Sequence, residues 1–202
     1  MSIPFLTDTV CTVWAMPMTV GDLAGFATGI ACVALTVRAH IWNFPMGILN
    51  SLVLGLVFLD QRLFSDASLQ ILFIALSIQG WIVWTRGGSS SEPELPVRRT
   101  GRSEWIYLLV FTGLAWLALW RLMILAKGAA PPIDALITSM SLSAQWLLNR
   151  KHLDNWIWWV VVDLVSIPLY ASRGLPLIAL LYVAFLGMCV AGWVSWRKLL
   201  PR

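Results

Sequence analysis

The chain has 202 residues, of which 59% are hydrophobic and only 12% charged, with a net charge of +4 and a mean hydropathy of +0.79. Soluble domains carry roughly 25% charged residues, so this composition excludes an ordinary water-soluble fold and makes the bilayer the solvent. The positive balance reads as a loop signal rather than a nucleic-acid surface, and Cys11, Cys32 and Cys189, odd in number and widely spaced, form neither a disulfide framework nor a metal cluster.

The first twenty residues hold no Lys or Arg, so the basic start of a signal peptide is missing. Ile3 to Val20, broken by Pro17, is expected to be an interfacial helix or a tail. Seven stretches then approach the roughly 20 apolar residues that cross a bilayer. Gly21–Ile41, Phe44–Leu59 and Asp66–Thr85 form a first unit over residues 21–85. The polar run Arg86–Ser103, containing GGSSSEPELP, is a connector. Glu104–Ala126 is a single connecting span over residues 104–126. Pro132–Asn149, Trp156–Ala171 and Gly174–Trp196 form a second unit over 132–196, followed by a tail at 197–202. The second and sixth spans are short and contain Pro45 and Pro168, which predicts a tilt, a kink or a broken helix.

The two units repeat. Asn43 matches Asn155, Gly80 matches Gly192, Trp81 matches Trp193 and Trp84 matches Trp196 at one constant spacing of 112 residues, and upstream the same register ties His40 to His152 and Asp22 to Asp134. Rare residues do not coincide in this way by chance, so the chain is read as a duplicated membrane unit. The unpaired fourth span restores the direction of insertion. The expected architecture is therefore an all-α membrane protein of seven transmembrane helices, arranged 3+1+3 as two parallel three-helix repeats. Of the 14 Lys and Arg residues, 10 fall on the side of the connector and the C-terminus and 4 on the other. Basic residues gather in cytoplasmic loops, so the N-terminus is expected outside and the C-terminus in the cytoplasm.

A charge deep in a span costs about 2.5–3.5 kcal/mol on insertion scales and needs a partner or a role. Asp163 is the one acidic residue near the middle of an expected span, and Trp156, Trp159, Ser166 and Tyr170 share its helical face. Such a stripe suits a cationic aromatic ligand, through charge, stacking and cation–π attraction; a bond from Asp163 to a neighbouring helix is the other reading. Ser141, Gln145 and Asn149 form a second polar stripe, suited to hydroxyls and carboxamides or to holding helices together. Gln70 on the third span is equivalent to Tyr182 on the seventh, and Asn43 opens the second. His40 and His152 are read as helix-end residues, and Trp105, Trp116 and Trp120 as interfacial or intersubunit anchors. Phosphate loops, zinc-protease and serine-hydrolase signatures are absent, so no catalytic residue, metal or cofactor is assigned and the chain is not read as an enzyme.

Trp42-Asn43-Phe44-Pro45-Met46-Gly47, Gln70, Gly80-Trp81-Ile82-Val83-Trp84, Trp156 to Trp159 with Asp163, Ser166-Ile167-Pro168-Leu169-Tyr170 and Ala179-Leu180-Leu181-Tyr182 together resemble the motifs of the PnuC family of vitamin-precursor transporters. The resemblance extends from Gly21 to Trp196. It implies uptake of nicotinamide riboside by facilitated diffusion across the bacterial inner membrane, a homotrimer, and a cytoplasmic kinase that traps the substrate and supplies NAD biosynthesis. It places Asn43, Gln70, Gln145, Trp156, Trp159, Asp163 and Tyr182 at the substrate, to which the second polar stripe adds Asn149. Thiamine, riboflavin or a nucleoside remains open as the cargo within that family, and a substrate-binding membrane subunit of an ATP-driven importer is the alternative from another class.

Overall fold

The computed structural model describes residues 8–13, 16–60, 64–87, 95–125 and 132–201. Arg62, Lys127 and Arg202, counted above for orientation, lie outside the described residues, as do residues 1–7, 14 and 15 of the expected N-terminal segment and 88–94 of the connector. Each of the seven expected spans is a helix: α1 Val20–Val37, α2 Asn43–Asp60, α3 Phe64–Arg86, α4 Arg102–Leu125, α5 Pro132–Asn149, α6 Asn155–Ser172 and α7 Pro176–Arg197. Five of them, α1 to α4 and α7, are long and apolar enough to cross a membrane. The exceptions, α5 and α6, are the helices with the most buried residues, among them Ser139, Ser141, Ser143, Asn149 and Asp163. A helix enclosed by other helices does not need an apolar surface all round.

Before α1 the expected interfacial helix or tail is replaced, over its described residues, by an antiparallel ribbon of β1 Thr9–Val13 and β2 Met16–Thr19. The β-branched run Thr9-Val10-Cys11-Thr12-Val13 favours extended backbone, and Pro17 is tolerated because a two-stranded ribbon has only edge strands. Thr19 ends the ribbon and caps α1. Its side chain accepts from Asp22 N at 3.1 Å while Asp22 Oδ2 accepts from Thr19 N at 3.0 Å, a reciprocal capping box.

The chain divides into two compact units, 1–82 and 83–202. In the first, α1 packs on α2, with Asn50 Nδ2 donating to Gly25 O at 2.8 Å and to Thr28 Oγ1 at 2.9 Å. Gly25 allows this approach, since a Cβ there would lie 2.8 Å from Leu54 Cδ2. Gly47 faces Cys32 and Ser77, and Gly55 faces Gln70. In the second unit α5 packs against both α4 and α6, and α6 against α7. Leu108, Ala144, Leu147 and Trp158 form the buried apolar cluster between α4, α5 and α6. Buried Thr112 and Ser143 hydroxyls bond across α4 and α5 at 2.7 Å.

The turns from α1 into α2 and from α5 into α6 have the same geometry. Ala39 and Lys151 have φ of 50° and 52°. His40 N donates to Leu35 O and His152 N to Leu147 O, both at 3.0 Å, while Ala39 N reaches Thr36 O and Lys151 N reaches Leu148 O. This is one Schellman motif, used twice. The next helix begins alike: Asn43 Nδ2 donates to His40 O at 2.8 Å and Asn155 Nδ2 to His152 O at 2.6 Å. His40 and His152 are thus helix-end residues. Neither short span is broken. Pro45 sits in the first turn of α2, where a missing N–H costs nothing, and α6 runs through Pro168.

Candidate functional site

The sequence-selected residues fall into both units. In the first, Asn43 is buried and its amide is engaged at the start of α2, while Gln70 stands on α3 against Gly55. In the second lie Gln145, Asn149, Trp156, Trp159, Asp163 and Tyr182, and there the geometry is most developed.

Helix α6 carries the centre of it. Asp163 is 2% exposed, and Cys189 Sγ of α7 donates to its Oδ2 at 3.4 Å. One turn further, Ser166 is fully buried. The ring of Tyr182 on α7 stacks on Tyr170 at 5.3 Å and meets Phe185 edge-on at 5.9 Å. Two turns before Asp163, Trp156 is 1% exposed and meets Trp196 edge-on at 5.5 Å. Gly192 makes that burial possible, because a Cβ there would overlap the Trp156 indole. Trp196 continues to Trp84, and Lys151 Nζ lies 4.5 Å over the Trp84 ring. Trp156 and Cys189 also line an apolar cleft of about 190 Å³ together with Ile157, Val160, Val190 and Trp193.

Buried polar atoms without a hydrogen bond concentrate on this helix. Among the described residues they are His152 Nε2, Asn155 Oδ1, Trp156 Nε1, Trp158 Nε1 and Ser166 Oγ, four of the five on α6. Each such atom costs about 1–3 kcal/mol when left unpaired. Trp156 Nε1 supplies a donor and Ser166 Oγ a donor or acceptor on the same face as the Asp163 carboxylate. Trp159 is placed differently. It is half-buried and packs on the Leu108, Ala144, Leu147 and Trp158 cluster. Gln145 Nε2 donates to Asn149 Oδ1 at 3.0 Å, so the two amides of the second stripe meet, whereas Ser141 turns back to Ile137 O at 2.9 Å. Trp105 stacks on Trp158 at 6.0 Å, and Trp116 stacks on Trp120 and donates to Pro132 O at 2.9 Å. These three engage their own unit.

Both ends of α5 and α6 are clasped by polar groups. At one end Arg173 donates to Asp134 Oδ2 at 2.8 Å, and this partner holds the guanidinium's proton still more firmly. At the other, the chain from Val97 to Gly101 lies along the α5–α6 turn. Leu153 N reaches Arg98 O at 2.8 Å, Arg98 N reaches Lys151 O at 3.1 Å, and Thr100 N reaches Asp154 Oδ2 at 2.6 Å. Beneath this strap His152 is fully buried, with Nδ1 3.0 Å from the Thr100 hydroxyl and Nε2 3.9 Å from Glu104 Oε1. Burial, with Arg98 adding to it, pushes the imidazole pKa down to about 4.

Cys189 and Gly192 are the residues that reading the sequence passed over. Nothing in the spacing of Cys189 from Asp163 announces their contact. Gly192 did carry a signal, as the repeat of Gly80, without indicating that it seats Trp156. The repeat spacing also pairs Ser51 with Asp163 and Ser77 with Cys189. Both serines are buried, so neutral hydroxyls in the first repeat stand where the second has a carboxylate and a thiol.

Residues 19–198 match the family model described as nicotinamide mononucleotide transporter. The chain is 26% identical over 200 residues to the nicotinamide riboside transporter PnuC of Escherichia coli strain K12, covering 87% of this chain and 84% of that protein. It is 24% identical to the protein of the same name from Haemophilus influenzae, over 96% and 87% of the two chains. It is also 26% identical over 178 residues to the riboflavin/roseoflavin transporter RibM of Streptomyces davaonensis, over 87% and 83%. Among solved structures, the crystal structure of the vitamin B3 transporter PnuC matches with a TM-score of 0.72 at 23% identity, covering 87% of this chain and 80% of that one, and so shares its fold.

Proposed function

Since this chain belongs to the nicotinamide mononucleotide transporter family, and is therefore a membrane transporter rather than an enzyme, we propose that its cargo is nicotinamide riboside and that the α6 face bearing Asp163 binds it. The observation that carries this reading is a carboxylate, 2% exposed, at the middle of a helix whose same face holds the unpartnered indole N–H of Trp156. A desolvated carboxylate attracts a fixed cation far more strongly than a neutral ring, because the low dielectric leaves the charge unscreened. The pyridinium of nicotinamide riboside supplies such a cation. Trp156, Tyr170 and Tyr182 offer aromatic faces for it, and Gln145 and Asn149 offer amides for ribose hydroxyls or the carboxamide.

In this reading the seven helices all cross the bilayer as two parallel three-helix repeats joined by α4, with the N-terminus outside and the C-terminus in the cytoplasm of a bacterial inner membrane. Transport is facilitated diffusion through a homotrimer, and a cytoplasmic kinase traps the product. The Schellman turn repeated at Ala39 and Lys151 supports the duplication. Asp163 as the one acidic residue near the middle of an expected span supports a mechanism without strong ion coupling.

Calorimetric titration of the purified protein with nicotinamide riboside, thiamine and riboflavin tests the cargo and the site together. Nicotinamide riboside is expected to bind selectively, and Asp163→Ala to weaken it by about a hundredfold, the cost of removing one partner of a buried charge pair. Selective binding of riboflavin, as the name of the Streptomyces relative invites, would replace the cargo. Unchanged binding in a folded Asp163→Ala protein would remove the site.

A further inference from the structure

Asp163 lies on α6, but its described hydrogen bond comes from α7. Cys189 Sγ donates to Oδ2 at 3.4 Å, and both residues are at least 97% buried. An aspartate has two carboxylate oxygens and a short side chain with few staggered positions. A donor on one oxygen therefore settles where the other points. We propose that Cys189 is a positioning residue of the transport site: its thiol holds Oδ2 of Asp163 so that the opposite oxygen is presented to the cationic substrate. This rests on the reading of Asp163 as the substrate's counter-charge and extends it to a residue on a second helix.

Three observations bear on the assignment. The thiol sits in the second repeat opposite the carboxylate, while the first repeat has Ser77 and Ser51 at the equivalent positions. Both positions are thus polar in each half of the sequence, and the carboxylate is confined to the second. Cys189 also stands in the wall of the cleft it shares with Trp156, so whatever fixes Asp163 also borders the aromatic residue of the site. Finally, Cys189 has no role in a disulfide; it is a free, buried thiol, and an inert core position of that size would be filled as well by alanine or valine.

The test separates a donor from a filler. Cys189→Ser keeps a hydroxyl donor in nearly the same volume, and Cys189→Ala removes it, the lost volume joining a cleft that already exists. Nicotinamide riboside binding is expected to weaken by about tenfold in Cys189→Ala, the usual scale for a hydrogen bond to a charged group, and to stay within about threefold of wild type in Cys189→Ser. In vesicle transport KM should rise in Cys189→Ala with the maximal rate preserved. Asp163→Ala is run alongside. If it loses binding while Cys189→Ala binds like wild type, or if Cys189→Ser behaves like Cys189→Ala, the positioning role is overturned and the site reading stands. If Asp163→Ala itself binds normally, the site reading falls first. Should Cys189→Ala not fold, the S–H stretching band of otherwise wild-type protein decides: it should move when Asp163 is replaced by Ala, and an unmoved band overturns the proposal.

Discussion

At the scale of single residues, the chain places its costly groups where a neighbour offsets them. Lys151 takes a left-handed backbone conformation, which an L residue adopts at a cost of about 1–3 kcal/mol, and its ammonium lies over Trp84. His152, in the same turn, has a measurable pH signature. The groups around it are Arg98 and Glu104 from the strap and α4, and Arg150 and Asp154 from the turn. Its folded pKa of about 4 lies below the ordinary 6.5. Between those values the unfolded chain takes up a proton that the folded one refuses, so stability falls as pH falls through that window and levels off below it. The slope is at most about 1.4 kcal/mol per pH unit for one proton. Thermal unfolding in detergent from pH 7 to pH 4 should show this decline, and His152→Gln should flatten it; an equal decline in the variant would assign the effect to other groups. The helix-end role of His40 and His152 was legible in the sequence from their equivalence beside Arg38 and Arg150. The strap was not, because nothing in Val97 to Gly101 marks a segment that pairs with a turn more than fifty residues away.

Among the elements, α6 is the one built against ordinary rules, with four unpaired buried polar atoms and a carboxylate. It packs against α7 through Gly192, whose missing Cβ is the space that Trp156 occupies. Gly192→Ala should raise the intrinsic helix preference of α7 by about 1 kcal/mol and yet destabilise the protein, since overpacking costs about 1–3 kcal/mol. The larger effect should be on function, because Trp156 must move. Fluorescence of the tryptophans on titration with nicotinamide riboside, beside a melting curve, checks both; an alanine variant that melts higher and binds equally would show that the indole has room elsewhere. The helices themselves were plain in the sequence. Long apolar runs bounded by Asp, Asn, Pro and Arg leave little freedom in lipid, and all seven spans form helices close to the expected boundaries. The N-terminal ribbon departed from expectation because a short β-branched run weighs little against a helix-length apolar stretch until its partner strand is seen.

At the scale of the whole molecule, the proposed transport is passive. A facilitator without a coupling ion brings its substrate only to the external concentration. Purified protein in sealed vesicles, given labelled nicotinamide riboside, should therefore fill to that level and stop. Adding a riboside kinase and ATP inside should drive uptake beyond it. Accumulation above the external level without the kinase, or dependence on an imposed proton gradient, would mean that Asp163 or another group couples transport to an ion.

What the sequence determined by itself was periodic and compositional: the bilayer as solvent, seven helical segments, residues matching at a spacing of 112, and an acidic residue near the middle of a span. These follow from hydropathy and from matching residues along one chain. Only the tertiary structure decided which groups touch. It brought Cys189 to Asp163, seated Trp156 on Gly192, turned Trp159 toward the α4–α5 cluster and laid the strap over His152. The reason is geometric. Helical periodicity names the face on which a side chain stands, but the rotation and separation of packed helices depend on side-chain volumes summed over every neighbour, and those sums exist only once the helices have met.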